Sequence, residues 1–194
     1  MVRIALLLFL PLLTLAACSD GGGGADGHVY RIRGKDAGNI QIRMLDSINA
    51  LRSSSGLVPL QMNAQLTSAA ATHSKDMSVQ NRPWHFGSDG SSPLDRVARA
   101  GYPGRLLGED ISETFESELE TLGAWVQNPG TKQVIMDPAA RDLGFAWYQD
   151  SNGKLWWTLI TGTTEQPGVV PSAPAVTSEA TGIVDLPAPT RSAG

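Results

Sequence analysis

Three histidines and one cysteine are the side chains of this chain best suited to metal or nucleophilic chemistry, and their placement already narrows it. Cys18 stands alone, which excludes an internal disulfide framework and any zinc site of the multi-cysteine kind. His28 lies in a glycine-rich stretch near the start of the chain. His73 falls at helical spacing four residues before Met77, where a core histidine bonded to backbone or to Asp76 is the simplest reading. His85 precedes a turn rich in glycine and serine. Ser74 and Ser88 are near histidines in sequence, but no Gly-x-Ser-x-Gly elbow accompanies them, which disfavours a serine hydrolase of that type. Trp84, Trp125, Trp147, Trp156 and Trp157 offer rings for a carbohydrate or lipid groove, or simply for core and rim.

The bulk composition excludes one class of partner. The 194 residues carry 15 Lys+Arg against 19 Asp+Glu, a formal net charge of −4, so no positive stripe exists to neutralise phosphates and nucleic acid is not an expected partner. Residues 1–17 read as a signal peptide: Arg3, an apolar run from Ile4 to Leu13, and Leu15-Ala16-Ala17 directly before Cys18. The run is shorter than the roughly 20 residues a membrane-spanning helix needs. Leu-Ala-Ala-Cys resembles the bacterial lipobox, in which the cysteine is acylated and becomes the first residue of the mature chain. Each buried methylene contributes about 0.8 kcal/mol, and two or three acyl chains hold a protein on a bilayer far more firmly than one. Ser19 follows, where an aspartate would favour retention at the inner membrane, so the expected location is the periplasmic face of the outer membrane, anchored through acyl groups (palmitate among them) on Cys18.

Between the ends lies one domain. Residues 18–35, with Gly21 to Gly24 in a row, read as a lipid-anchored flexible linker, and residues 165–194, with five prolines and no aromatic residue, as a disordered tail. Residues 36–164 hold all five tryptophans. There Ile40, Met44, Leu45, Ile48 and Leu51 predict a helix over Asp36 to Ser54, with Asp36 as N-cap. Leu57 to Leu60 is extended ahead of a second helix capped by Asn63 and running to Gln80, with Leu66, Ala69, Ala70, His73 and Met77 inward. A short helix follows from Ser92 to Ala100, with Pro93 in its first turn and Gly101 ending it, and a fourth runs from Glu116 to Gln127 until Asn128-Pro129-Gly130 breaks it. Leu143 to Gln149 and Leu155 to Thr161 flank an Asn-Gly hairpin turn, and Arg105 to Ser112 is a third antiparallel strand. Helices around a small sheet make an α+β fold.

The same residues carry a family likeness. Gly56-Leu57-x-Pro59-Leu60, His73-Ser74-Lys75-Asp76-Met77, His85-Phe86-Gly87-Ser88-Asp89-Gly90-Ser91-Ser92-Pro93-x-Asp95-Arg96, Gly101-Tyr102, Gly108-Glu109-Asp110-Ile111, Trp125-x-x-Asn128-Pro129-Gly130 and Leu143-Gly144-Phe145-Ala146 occur in order. This resembles a bacterial CAP domain, also called SCP-like, and the resemblance implies an α-β-α sandwich with a small antiparallel sheet between helices and a cleft on one face. The family's cleft usually holds two histidines and two acids. His85 matches the first histidine and Glu109 one acid, although Asp110 replaces the usual asparagine. Thr131 stands where bacterial members commonly have the second histidine, and Asn128 where animal relatives often have the second acid.

The cleft-lining set implied by the resemblance is therefore His85, Glu109, Asn128 and Thr131. One histidine, one glutamate and a threonine hydroxyl bind zinc poorly, so no metal and no cofactor is expected. His85 and Glu109 are the candidate catalytic pair, with the carboxylate orienting the imidazole for general-base work or for holding a polar head group. The alternative is that they merely pin the Gly-rich turn to the sheet. Two functions follow: a membrane-tethered module of the cell envelope binding a lipid, glycan or protein ligand, or a hydrolase acting on peptide or cell-wall bonds.

Overall fold

The computed structural model describes residues 30–113 and 117–164. The amphipathic stretches form α1 (Ala37–Ser54) and α2 (Ala64–Gln80), separated by the two-residue β1 (Gln61–Met62). Then come α3 (Pro93–Arg99), β2 (Arg105–Ser112), α4 (Glu118–Gln127), α5 (Pro129–Ile135), β3 (Asp142–Gln149) and β4 (Leu155–Thr163). The strands lie in the order β1-β3-β4-β2, antiparallel except for the parallel pair β1 and β3. Side chains alternate across a strand, so the register assigns each layer. Leu155, Trp157 and Leu159 of β4 join Ile40, Met44 and Ile48 of α1, Leu122 and Trp125 of α4 and Ile135 of α5 in one core. Ile160 turns the other way, into a second core with Leu66, Ala69 and Ala70 of α2, Val97 of α3 and Tyr102. The result is an α+β molecule, an α-β-α sandwich, as expected.

Local chemistry explains the element ends. Asn63 accepts a bond from Leu66 N at the start of α2, and Ser92 with Asp95 forms a capping box around Pro93 at the start of α3. Three helices finish with the same six-to-one backbone bond: Leu57 N to Arg52 O, Arg82 N to Met77 O and Tyr102 N to Val97 O. The left-handed residue each such ending requires is Gly56, Asn81 and Gly101. Layer spacing also depends on residue size. A Cβ at Gly144 would come within 2.3 Å of the Leu66 carbonyl carbon, so α2 lies directly on β3 only because no side chain intervenes. The adjacent Trp156 and Trp157 are both fully buried on opposite faces, and Trp157 stacks on Phe145 with centroids 5.6 Å apart.

Arg52 is the unexpected member of the interior. Its side chain is fully buried at the end of α1 and donates to four carbonyls: Val58 (2.9 Å), Ile135 (2.8 Å), Asp137 (3.0 Å) and Ala140 (3.2 Å). It fastens α1 to the segment leaving α5.

Several boundaries differ from expectation. The linker was expected to reach residue 35, yet Ile32 N donates to Gln149 Oε1 (3.0 Å), Gln149 Nε2 to Tyr30 O (2.8 Å) and Arg31 Nη1 to Asp150 O (2.9 Å), so Tyr30 onward is joined to the sheet. Asp36 makes no side-chain cap bond, because the 3-10 turn Gly34–Asp36 runs straight into α1. Asn128-Pro129-Gly130 ends α4 but immediately starts α5: Asn128 Oδ1 caps the Gly130 N–H and proline occupies the first turn, where its missing N–H costs nothing. The expected leader and most of the linker (1–29), the tail (165–194) and the expected start of the fourth helix at Glu116 lie outside the described residues. Among the described residues no helix is long and apolar enough to cross a membrane.

Candidate functional site

Glu109 lies on β2 opposite Ile160, so its side chain enters the layer shared with α2 and α3. There α3, started by its Pro93 and capping box, presents Arg96. Arg96 Nη2 donates to Glu109 Oε1 (2.9 Å), Glu109 Oε2 (2.8 Å) and the His85 carbonyl (3.0 Å), while Nη1 donates to Ser91 O (3.1 Å). Both charged residues are buried, with exposures of 5% and 8%, so each depends on the other for compensation. His85 completes the group. Its Nδ1 donates to Glu109 Oε1 at 2.9 Å while half of its side-chain surface stays exposed. A carboxylate paired with a guanidinium only accepts, so the neutral ring carries its proton on Nδ1 and presents Nε2 as an acceptor.

His73 lies beneath. Its Nε2 donates to the Trp84 carbonyl (3.0 Å) and stands 3.7 Å from Glu109 Oε1, while its Nδ1 is buried without a partner. Burial pushes its pKa below the ordinary value despite the adjacent carboxylate, which keeps the ring neutral. The expected backbone partner is thus Trp84. Asp76 serves elsewhere, accepting from Ser88 N (2.7 Å), Ser88 Oγ (2.6 Å) and Gln80 Nε2 (3.0 Å).

The four residues expected in the cleft do not form one polar group. Thr131 Oγ1 donates to Trp125 O (2.6 Å) and Asn128 caps α5, and neither hydrogen-bonds to His85 or Glu109. Alternation explains the separation. Gly108 faces Val134 of α5, where an added Cβ would be 2.7 Å from a valine methyl, so the neighbouring Glu109 points to the opposite side of β2. Arg96 and His73 are the members of the group that sequence reasoning did not place there. The available signal was the spacing Ser92-Pro93-x-Asp95-Arg96, which puts Arg96 one turn along the face that carries Ser92 and so toward the turn holding His85.

Asp110, next on β2, points away from Glu109 into the other layer. It is 1% exposed and its Oδ2 has no partner. Burial, with a smaller contribution from the Glu109 charge, pushes its pKa up to about 8.

Two concavities flank this architecture. A pocket of about 370 Å³ between α2 and α3 is lined by Thr72, Asp76, Ser88, Asp89, Arg96 and Arg99 among others, so Arg96 is the wall it shares with the Glu109 site. An apolar groove of about 640 Å³ lies between α1 and α4, along Leu51, Leu119, Leu122 and Val126. His85 and Glu109 line neither. Among the described residues no group of three or more His, Cys, Asp or Glu is placed to hold a metal ion. Because Arg96 binds both oxygens of Glu109, the donor set does not fit a divalent cation.

A mixed sheet between two helical layers, with a histidine-glutamate-arginine group beside its edge strand, defines the class of protein. The family model described as "CAP: Cysteine-rich secretory protein family" matches residues 45–161, more than half of the chain, and the chain belongs to that family. It is similar to the uncharacterized protein YkwD of Bacillus subtilis (strain 168), 27% identical over 120 residues that make up 62% of this chain and 46% of that protein. The match thus spans about half the length of that relative. Among solved structures, an outer surface protein from Borrelia burgdorferi superposes with a TM-score of 0.61 at 15% identity, covering 66% of this chain and 94% of that one. An extracellular protein containing an SCP domain from Bacillus anthracis gives 0.58 at 24% identity, covering 67% of this chain and 44% of that one. At these identities the structural likenesses show a shared fold.

Proposed function

We propose that this chain is an extracytoplasmic CAP-domain protein, tethered to the envelope through acyl groups on Cys18, that binds a ligand at His85. One observation carries the binding reading. His85 is half-exposed, its Nδ1 is fixed by a carboxylate that a buried guanidinium holds in place, and among the described residues nothing hydrogen-bonds its Nε2. An oriented, accessible acceptor on a rigid support is how a binding site gains selectivity at low conformational cost. The tether is supported by the lipobox-like Leu-Ala-Ala-Cys, and the extracytoplasmic location by likeness to proteins described as an outer surface protein and an extracellular protein. Hydrolysis has no such support: among the described residues no hydroxyl bonds to His85 as a nucleophile would.

Two experiments test this. Melting of the detergent-solubilised chain should rise by about 5 °C with one class among envelope lipid vesicles, glycan fragments and peptides at ten or more times the dissociation constant. His85→Ala should abolish that rise, whereas no response to any class, or one indifferent to His85→Ala, contradicts the binding site. For the tether, cells fed a palmitate analogue should label the wild-type chain in the membrane fraction. Cys18→Ser should be unlabelled, and a variant still labelled would reject the anchor.

A further inference from the structure

The ligand class can be narrowed, on the basis of the reading that His85 is a binding residue. We infer that the site takes a pyranose glycan, stacked on the rings that flank His85. Trp84 is 36% exposed and Phe86 47%, so with His85 three consecutive rings meet solvent.

Exposed aromatic residues are often loosely held, but these are fixed from beneath. The three consecutive carbonyls of residues 84, 85 and 86 are each held by a different scaffold side chain: His73 Nε2 (3.0 Å), Arg96 Nη2 (3.0 Å) and Gln80 Nε2 (3.1 Å). Gln80 Oε1 also accepts from the Trp84 indole at 2.8 Å. Arg82 lies over the Trp84 ring, 3.3 Å from its centroid, and the Phe86 ring leans on it at 5.4 Å and 55°. The backbone of the segment is therefore held while its rings stay partly exposed, so a ligand gains contact area without ordering the loop. This also gives the buried His73 and Arg96 a common purpose, since both support the same three residues.

The chemistry of the patch selects among ligands. A pyranose has an apolar C–H face and a rim of hydroxyls. The Trp84 ring, one face of which carries the Arg82 guanidinium, and the Phe86 ring tilted 55° from it stand beside the His85 acceptor and offer contacts to both. An acyl chain requires an enclosed apolar channel, and these rings are open to water. A folded protein partner requires about 800 Å² on each side, far more than three half-exposed rings provide.

The test uses the detergent-solubilised full chain, isothermal calorimetry and tryptophan emission. The probes are the β-1,4-linked N-acetylglucosamine tetramer and cellotetraose, which lacks acetamide groups. At least one should bind and shift the emission to shorter wavelength. Binding of both marks recognition of the pyranose rings, and binding of the first alone marks recognition of the acetamide as well. Trp84→Ala and Phe86→Ala should each weaken binding tenfold or more, and Trp84→Phe, which retains a ring, should weaken it less than Trp84→Ala. Should Trp84→Ala fail to fold, Phe86→Ala decides, because the Phe86 ring contacts no described ring besides Trp84. Failure of both sugars at millimolar concentration, or unchanged affinity in the folded variants, overturns the assignment. If lipid vesicles then raise the melting temperature in a His85-dependent way, the binding role of His85 survives and only the glycan falls.

Discussion

Arg52→Met is expected to destabilise the fold by about 3–5 kcal/mol, a large share of the roughly 5–15 kcal/mol typical of a domain. The side chains are similar in length, so the loss is not mainly one of packing. Arg52 satisfies four carbonyls, on Val58, Ile135, Asp137 and Ala140, while being fully buried itself. Methionine would leave the Val58 and Ile135 carbonyls without a donor, while Asp137 O keeps the Ala140 N–H and Ala140 O keeps Arg141 Nη1. Each abandoned buried acceptor costs about 1–3 kcal/mol, less whatever water entry or a small backbone shift recovers. Arg52→Lys separates charge from geometry, because one ammonium keeps the charge but cannot span acceptors arranged around a planar fork. It should recover less than half of the loss. Urea unfolding gives the answer: a change below about 1 kcal/mol for Arg52→Met, at constant dependence on urea, would mean that the guanidinium does not hold α1 to the segment after α5.

Arg52 also marks where sequence reading stops. An arginine near a helix end ordinarily reads as solvated, and nothing local indicates that the carbonyls of residues 135–140 will converge on it. Period-based reading succeeded where burial is a property of the element alone: Ile40, Met44 and Ile48 repeat at helical spacing and all are buried, and the Asn152-Gly153 turn joins β3 to β4. It failed where partners are distant. β1 is two residues long and exists only because β3 lies beside it. The α5 helix was hidden because Asn-Pro-Gly is a sound breaker signal that serves equally well as a cap followed by a first-turn proline. The site divides in the same way. Family resemblance brought His85 and Glu109 together on paper and the structure puts them 2.9 Å apart, but Arg96 and His73 join them through the packing of α2 and α3 on β2. Asn128 and Thr131, equally prominent in the resemblance, make local cap bonds instead.

Asp110→Asn should stabilise the protein, and by an amount that grows with pH. Asp110 ordinarily has a pKa near 3.8, and burial raises it to about 8 in the fold. Between those values the folded chain binds more protons than the unfolded chain, so stability falls as pH rises. The penalty is absent below the lower value and complete above the upper one. An asparagine has almost the same shape and no charge to desolvate. Its amide still leaves a polar atom to satisfy, which limits the gain to about 2–4 kcal/mol at pH 8 and about 1 kcal/mol or less at pH 4.5. His73 produces the opposite slope. Its depressed pKa means that the unfolded chain takes up a proton more readily below the ordinary 6.5, which destabilises the fold in acid. Both proteins carry His73, so its contribution cancels in the difference between their unfolding curves and leaves Asp110 alone. A stabilisation equal at pH 4.5 and pH 8 would show that the gain came from packing rather than charge, and a loss at pH 8 would show that the aspartate has a partner holding its ionised form.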